Sequence, residues 1–139
     1  MPVITKTLSF QTKGNDDMVD ITPMVQDALS EAGLSGGIVT VFVPGSTASV
    51  TTIEYEPGLI KDLPRAMEKL APKGAHYDHD ARWGDGNGHA HVRASTIGPG
   101  LVVPFQNGRL MLGTWQQIVF IDFDNRPRAR NVIVQAMGE

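Results

Sequence analysis

Two histidines separated by a single residue, His89 and His91, have the spacing best suited to chemistry. Residues 89–95 are predicted to form a strand, and residues two apart in a strand share a face, with Cβ atoms about 7 Å apart. Both imidazoles would then bind one metal ion. His79 is the natural third ligand, because three histidines with one open position are typical of a catalytic zinc site. The alternative is that the pair only faces solvent.

The metal expected at this site is divalent, with zinc in first place. The chain contains no Cys, which removes thiolate nucleophiles, disulfides and Cys-type zinc sites and leaves His, Asp and Glu as ligands. Asp78, Asp80 or Asp85 could orient the imidazole nitrogens through hydrogen bonds. The fourth histidine, His76, would need a separate turn to join the group. Protonated imidazole cannot bind a metal, so metal affinity should fall between about pH 7 and pH 5.

A second group of residues could bind an anion or move a proton. Ser46 and Thr47 follow a predicted buried strand, where small residues leave backbone N–H groups and hydroxyls free for an oxyanion or a phosphate. An ordinary turn between strands explains the same residues equally well. Glu54 follows in the next predicted strand, and a carboxylate is costly to bury without a partner. We expect it either at a strand end in water or as a general base.

The C-terminal part of the chain adds further candidates for ligand binding. Arg128 and Arg130 have the same parity along a strand and could clamp a phosphate or a carboxylate. Two aspartates just upstream could instead pair with them in a structural salt-bridge network. Trp115 and Gln116 could line a pocket, although a Trp that opens an apolar strand is more often part of the core.

Apolar periodicity and turn residues predict the elements that must position these groups. The predicted strands cover residues 3–12, 38–43, 47–56, 89–95, 101–105, 109–112, 115–123 and 132–137. One helix has Thr22 as N-cap and Pro23 in its first turn and ends at Gly33, and a second covers about residues 59–70. Residues 72–88 have no predicted element, and such a stretch is more often functional than idle. The predicted fold is α+β, with two layers of sheet arranged like a β-sandwich and two helices.

Three placements within this fold follow from local patterns. Residues 3–12 are expected at a sheet edge, because Lys6 interrupts the apolar face. The nearly continuous apolar run at residues 38–43 predicts a buried central strand. Asn107-Gly108 is the best hairpin signal in the chain.

Composition limits the classes of function. The chain has 139 residues, 41% of them hydrophobic, which fits one domain over residues 1–139 with a core of its own. Its net charge of −3 argues against binding nucleic acid through phosphates, which needs a basic surplus. No apolar run has membrane-spanning length, and residues 1–6 lack the pattern of a signal segment. We therefore expect a cytoplasmic protein with neither membrane nor nucleic-acid partners.

Six motifs in order, spread over nearly the whole chain, resemble those of the small YjbQ-like proteins, some of which are described as secondary thiamine-phosphate synthases. The motifs are Ser46-Thr47-Ala48 with Glu54 downstream, Tyr77-x-His79-Asp80, Asp85-Gly86-Asn87-Gly88-His89-Ala90-His91, Val103-Pro104-Phe105-x-x-Gly108, Leu112-Gly113-Thr114-Trp115-Gln116, and Asp122-Phe123-Asp124 running into Pro127-Arg128-x-Arg130. The resemblance implies a two-sheet α+β fold, a homotrimer, and a site near subunit boundaries centred on His79, His89 and His91. The residues that it implies nearby are Asn87, Glu54, Trp115, Gln116 and Arg128, with Glu54 and Asn87 as the expected catalytic groups.

The chain departs from the commonest pattern of these proteins at three places: Gly45 stands where many have His, Ile53 where many have Asn, and Arg126 is an additional residue. The predicted function is a metal-dependent enzyme that acts on a small phosphorylated molecule, either as a transferase of thiamine-phosphate synthase type or as a hydrolase. The first alternative is a non-catalytic trimer that binds a metal or a ligand. The second is a structural module whose polar loop mediates assembly.

Overall fold

The computed structural model describes residues 1–139 as two antiparallel sheets with four helices. The strands are β1 (Val3–Thr12), β2 (Asp17–Asp20), β3 (Gly36–Phe42), β4 (Ala48–Ile53), β5 (Gly100–Gln106), β6 (Arg109–Leu110), β7 (Gln117–Asp122) and β8 (Arg128–Gly138). The helices are α1 (Thr22–Ala32), α2 (Pro57–Leu70), α3 (Asp78–Trp83) and α4 (Gly88–Ile97). The five-stranded sheet has the order β1-β8-β3-β5-β6 and the three-stranded sheet the order β2-β7-β4. The predicted α+β fold with two sheet layers is confirmed, with four helices in place of two.

The main core lies between the two sheets. It contains the inward residues of β3 and β8, such as Val39, Val41 and Val134, together with Phe120 of β7. A second cluster lies on the other face of the three-stranded sheet, where α2 and α4 cover Val119 and Ile121. Strand β7 is therefore buried on both faces, which explains its nearly continuous apolar sequence.

The outer face of the five-stranded sheet has no helix over it. Ile38 and Phe42 of β3 are 39% and 41% exposed, Val102 of β5 is 55% exposed and Met137 of β8 is 39% exposed. Register places Ile38 opposite Met137 and Thr40 opposite Val102, so these side chains share one face. The prediction that residues 38–43 are buried on both sides is thus correct for one face only.

Several local predictions are confirmed. Strand β1 lies at the edge of its sheet. Asn107 and Gly108 have φ values of 53° and 72° and close the β5–β6 hairpin. Helix α1 has a Pro in its first turn and ends at Gly33 with φ 71°. No helix in the chain combines the length and the apolar character needed to cross a bilayer.

Helix starts differ from the predictions. Thr22 does not cap α1: it is the first helical residue, and its Oγ1 accepts a 2.8 Å hydrogen bond from the backbone N–H of Ile118. Helix α2 starts at Pro57 and is capped by the Glu56 carboxylate, which accepts from two backbone N–H groups, and it includes Pro64. The predicted strand at 115–123 begins only at Gln117.

The prediction of a strand at residues 89–95 is wrong, because these residues belong to α4. Ala90, Ala94 and Ile97 recur at helical spacing and pack against the three-stranded sheet. Gly88 lets the helix begin against Tyr77, since a Cβ at Gly88 would lie 2.4 Å from the Tyr77 Cβ. The segment before it also contains an element that was not predicted, the short helix α3.

Candidate functional site

Two imidazoles and a carboxylate meet between α3 and α4. The ligand atoms of His79, Asp85 and His91 all lie within 4.8 Å of one another. His79 Nε2 is 3.1 Å from Asp85 Oδ2, and the two imidazole rings have centroids 4.4 Å apart. His79 and His91 are half-buried and Asp85 is exposed. The three ligand atoms are therefore already close together and can be reached from solvent.

The loop between α3 and α4 is tied down by hydrogen bonds at both ends. Helix α3 ends at Gly84 with φ 67°, and Gly86 has φ 67°, so Asp85 lies between two left-handed glycines. Asp85 Oδ1 accepts a 3.1 Å hydrogen bond from the N–H of Asn87, and Asp80 Oδ1 accepts a 2.8 Å bond from the N–H of Gly88. These contacts place the α3 histidine beside the first turn of α4.

The charge state of Asp85 suits metal binding. The hydrogen bond with His79 holds the pKa of the Asp85 carboxyl below its ordinary value, and the N–H of Asn87 lowers it further. Asp85 is thus ionised at neutral pH and offers an anionic oxygen to a cation. Two imidazole nitrogens and one carboxylate oxygen fit zinc and other divalent transition metals, and three protein ligands leave positions open for a substrate.

His89 does not join this group, although a shared metal for His89 and His91 was predicted. In a helix, residues two apart point about 200° apart around the axis, whereas in a strand they share a face. His89 is only 4% exposed, and its Nε2 has no hydrogen-bond partner. Burial lowers its pKa, and the charges of Arg93 and Lys73 lower it further, so the ring is held neutral. His76 is exposed, bonds to Asp78 and also lies outside the group.

A polar cavity of about 300 Å³ lies beside Asp85. Its lining residues are all polar or charged: Asp85, Asn87, Asn125, Arg126 and Arg128. Asp85 belongs to both features, because it lines the cavity and contacts His79. The cavity therefore suits a charged ligand.

Below the cavity, the carboxylate of Asp124 contacts three side-chain donors. It is 1% exposed and accepts hydrogen bonds from Thr47 Oγ1 at 3.0 Å and Asn87 Nδ2 at 3.3 Å, with Arg128 Nη2 at 3.0 Å. Burial alone would raise the pKa of Asp124, but the hydrogen bonds from Arg128, Asn87 and Thr47 outweigh it and lower the pKa. The Asn87 Oδ1 also accepts a hydrogen bond from the N–H of Asn125, so both the nitrogen and the oxygen of this side-chain amide are hydrogen-bonded.

Arg130 is held by the protein. Its Nε and Nη2 each lie 2.7 Å from an oxygen of Asp122, and Nη2 also donates to Thr47 Oγ1 at 2.8 Å. Asp122 is fully buried. The two-pronged contact is typical of a structural ion pair, and it raises the pKa of Arg130. Of the two readings of the arginine pair, the salt-bridge network therefore describes Arg130, while Arg128 both pairs with Asp124 and lines the cavity.

The remaining predicted site residues lie elsewhere. Ser46 is exposed and makes no side-chain hydrogen bond. Glu54 is exposed just beyond β4 without a hydrogen-bond partner, and Trp115 is 73% exposed, so Trp115 is not part of the core. Gln116 Nε2 donates to Thr52 Oγ1 at 3.3 Å, and Gln116 lines a second cavity of about 310 Å³ between β4 and β5.

The β4–β7 ladder separates these two sets. Ala48 pairs with Asp122 at one end and Ile53 pairs with Gln117 at the other, five residue steps away. At about 3.4 Å per residue the separation is roughly 17 Å. Within one protomer, the group around Thr47 and the group of Glu54 and Gln116 are therefore distinct.

Sequence reasoning considered Asp85 only as an orienting residue and did not include Asn125 or Arg126 in the site. The spacing of Ala90, Ala94 and Ile97 was the available signal, because it indicates a helix. In a helix His89 and His91 do not share a face, so the group needs another ligand in place of His89, and Asp85 is that residue.

Comparison with known proteins agrees with this architecture. A family model described as UPF0047 protein YjbQ-like matches residues 6–139. A UPF0047 protein of Archaeoglobus fulgidus is 40% identical over 130 residues, which cover 94% of this chain and 98% of that protein. The UPF0047 protein YugU of Bacillus subtilis is 38% identical over 96% of this chain and 98% of its own length.

Solved structures extend the similarity to the whole fold. A protein of Sulfolobus solfataricus, described as YbjQ-like and of unknown function, superposes with a TM-score of 0.94 at 30% identity and covers 99% of both chains. A YjbQ/UPF0047 protein of Clostridium acetobutylicum gives a TM-score of 0.86 at 37% identity over 95% of this chain and 99% of that chain. On sequence and on structure, the chain belongs to the UPF0047 YjbQ-like family.

Proposed function

We propose that this protein binds a divalent metal, zinc in first place, through His79, Asp85 and His91, and acts on a small phosphorylated molecule. One observation carries the proposal: Asp85 contacts His79 and also lines the cavity that contains Arg126 and Arg128. Asp85 thus belongs both to the proposed metal-ligand cluster and to the arginine-lined cavity. When bound, the metal would supply Lewis-acid polarisation of an oxygen of the substrate.

The residues of the chain have separable roles in this proposal. His79, Asp85 and His91 hold the metal, and the glycines that flank Asp85 fix the position of its carboxylate. Arg128 offsets negative charge in the cavity. Asn87 acts as a positioning residue, because its amide bridges Asp124 and the backbone of Asn125. Since Arg130 is occupied by Asp122, we assign it a structural role.

Metal content tests the ligand set. We expect near-stoichiometric metal in untagged wild-type protein by elemental analysis, and its loss in His91→Ala and Asp85→Ala, because each removes one of three ligands. His76→Ala is the matched control, since this exposed histidine lies outside the group. Absence of metal from wild-type protein after reloading would overturn the proposal.

His89→Gln separates the two possible ligand sets. Retained metal in this variant supports Asp85 as the third ligand, and loss of metal with an intact circular dichroism spectrum supports the set of three histidines. The buried position of the side chain makes the spectrum a necessary control.

We also propose a homotrimer. The uncovered face of the five-stranded sheet exposes Ile38, Phe42, Val102 and Met137, and apolar faces of this kind are typical of subunit contacts. The separation of Glu54 and Trp115 from the histidines within one protomer supports a site completed at a subunit boundary. Sedimentation velocity tests the assembly, and a monomer at tens of micromolar protein would contradict it.

The second candidate function is a trimer that binds the metal and a ligand without turnover. The observation that favours it is the absence of a free general base beside the histidines: Asp85 is engaged by His79, Asp124 by three donors, and Glu54 is distant along the ladder. A screen of phosphorylated compounds with metal-loaded protein discriminates the two, because only the enzyme produces a new compound. The thiamine-phosphate synthase reaction is one member of the proposed class of activities.

A further inference from the structure

Arg126 is a cation that lines the polar cavity and has no acidic partner. Of the three arginines in the turn before β8 and at the start of that strand, Arg128 pairs with Asp124 and Arg130 pairs with Asp122, whereas Arg126 forms no salt bridge. An unpaired guanidinium in a cavity wall is available to a ligand, and its planar donors match the oxygens of a phosphoryl group.

The backbone that carries Arg126 is held in place. Its N–H donates to Asp124 Oδ1 at 3.3 Å. Its carbonyl oxygen lies against the turn between β1 and β2, where a Cβ at Gly14 would be 2.4 Å from that oxygen. The guanidinium therefore extends from a fixed point on the rim of the cavity, which reduces the entropy lost when it binds.

Arg128 also has a hydrogen-bond donor that no protein group uses. It faces the cavity, and its buried Nε–H has no acceptor within the protein. A buried donor without an acceptor is unfavourable, so an anion that rearranges this side chain can gain a strong hydrogen bond.

With a divalent ion bound beside it, the cavity favours a dianion. Arg128 and Asp124 cancel each other, which leaves one negative charge on Asp85 and one positive charge on Arg126. A divalent ion at His79, Asp85 and His91 would raise the surplus to two positive charges. A phosphate monoester carries about two negative charges near neutral pH, whereas a diester carries one. The lining contains no apolar residue, so the organic part of such a ligand would lie outside the cavity.

We propose that Arg126 and Arg128 hold the phosphoryl group of a phosphate monoester in this cavity, and that Arg126 selects the monoester over a diester. This inference rests on the proposed function for its choice of a site beside the metal, and it names the substrate class of that site.

Calorimetric titration with methyl phosphate and dimethyl phosphate at pH 8 tests the inference, first on chelator-treated protein and then with one equivalent of zinc. We expect wild-type protein to bind methyl phosphate at least tenfold more tightly than dimethyl phosphate. Arg126→Gln should weaken methyl phosphate binding by roughly tenfold, the effect of losing one charge-assisted hydrogen bond, and should weaken dimethyl phosphate binding less, because a monoanion gains less from the guanidinium charge.

Arg109→Gln is the matched control, because Arg109 is also exposed and unpaired but lies in the β5–β6 hairpin outside this cavity. We expect wild-type affinity in this variant. Equal affinity of Arg126→Gln and wild type for methyl phosphate overturns the inference, as does failure of wild-type protein to bind it with and without zinc.

Failure of the metal proposal gives a different result. If no metal binds but Arg126→Gln still weakens methyl phosphate binding in chelator-treated protein, the monoester site stands and the metal assignment falls. If metal binds stoichiometrically and Arg126→Gln has no effect, the metal assignment stands and the monoester site falls. The metal content of Arg126→Gln should equal that of wild type, since Arg126 is not a ligand.

Discussion

The two ends of the β4–β7 ladder differ in whether their polar side chains form hydrogen bonds within the protein. At one end Thr47, Asp122, Asp124 and Arg130 are buried or nearly so, and each forms hydrogen bonds with two of the others. At the other end Glu54 and Trp115 project into solvent. The first end is complete within one chain and can hold a cavity in a fixed shape. The second leaves its side chains in solvent, with few contacts inside the protomer.

The largest effect should come from breaking the buried pair. Asp122→Ala removes both oxygens that Arg130 contacts, so we expect a loss of about 3–5 kcal/mol in the free energy of unfolding, because a buried charge then lacks its partner. Glu54→Ala removes a carboxylate from the exposed end and should change the value by less than about 0.5 kcal/mol. Urea unfolding of both variants measures the difference. Similar losses would show that the two ends do not differ in this way.

A smaller effect concerns pH. The folded pKa of Asp124 lies below its unfolded value of about 3.9, so the unfolded state binds more protons in acid. Its ionisation therefore stabilises the fold above about pH 4, and this contribution is lost as pH falls through the folded pKa. Asp124→Asn lacks it at every pH. The gap in unfolding free energy between wild type and variant should shrink below about pH 4, as followed by urea midpoints. A gap that stays constant with pH would contradict this role.

The smallest effect on the protomer is expected at the exposed end. Trp115→Ala removes few contacts within the chain, so the circular dichroism spectrum should match that of wild type. If this end lies in a trimer contact, the variant should dissociate at higher protein concentration than wild type in sedimentation velocity. Trp83→Ala is the control, because this tryptophan is 67% exposed on α3 and should not change assembly. Identical behaviour of both variants would remove Trp115 from the contact.

Much of the fold can be predicted from local patterns, whereas the site depends on distant contacts. The alternation in β1, the Asn107-Gly108 turn and the Gly33 helix end each depend on a few neighbouring residues. The short segment from Gly88 to His91 is ambiguous, because its small residues suit either period until its packing on the sheet is known. The pairing of β4 with β7 also joins residues about 70 positions apart, so the sequence could not show that Asp122 lies beside the Thr47 end of β4 and Gln117 beside the Glu54 end.

Because Gly88 has no side chain, it determines how closely α4 approaches Tyr77, and so the distance between His79 and His91. Helix α4 can approach α3 only because position 88 has no Cβ to meet the tyrosine ring. That approach fixes the span between an imidazole on one helix and an imidazole on the next. If the group binds a metal as proposed, a packing residue that never touches the ion then determines the ionic radius that fits. Under that proposal, a substitution at position 88 alters the selectivity among divalent metals while every ligand stays the same.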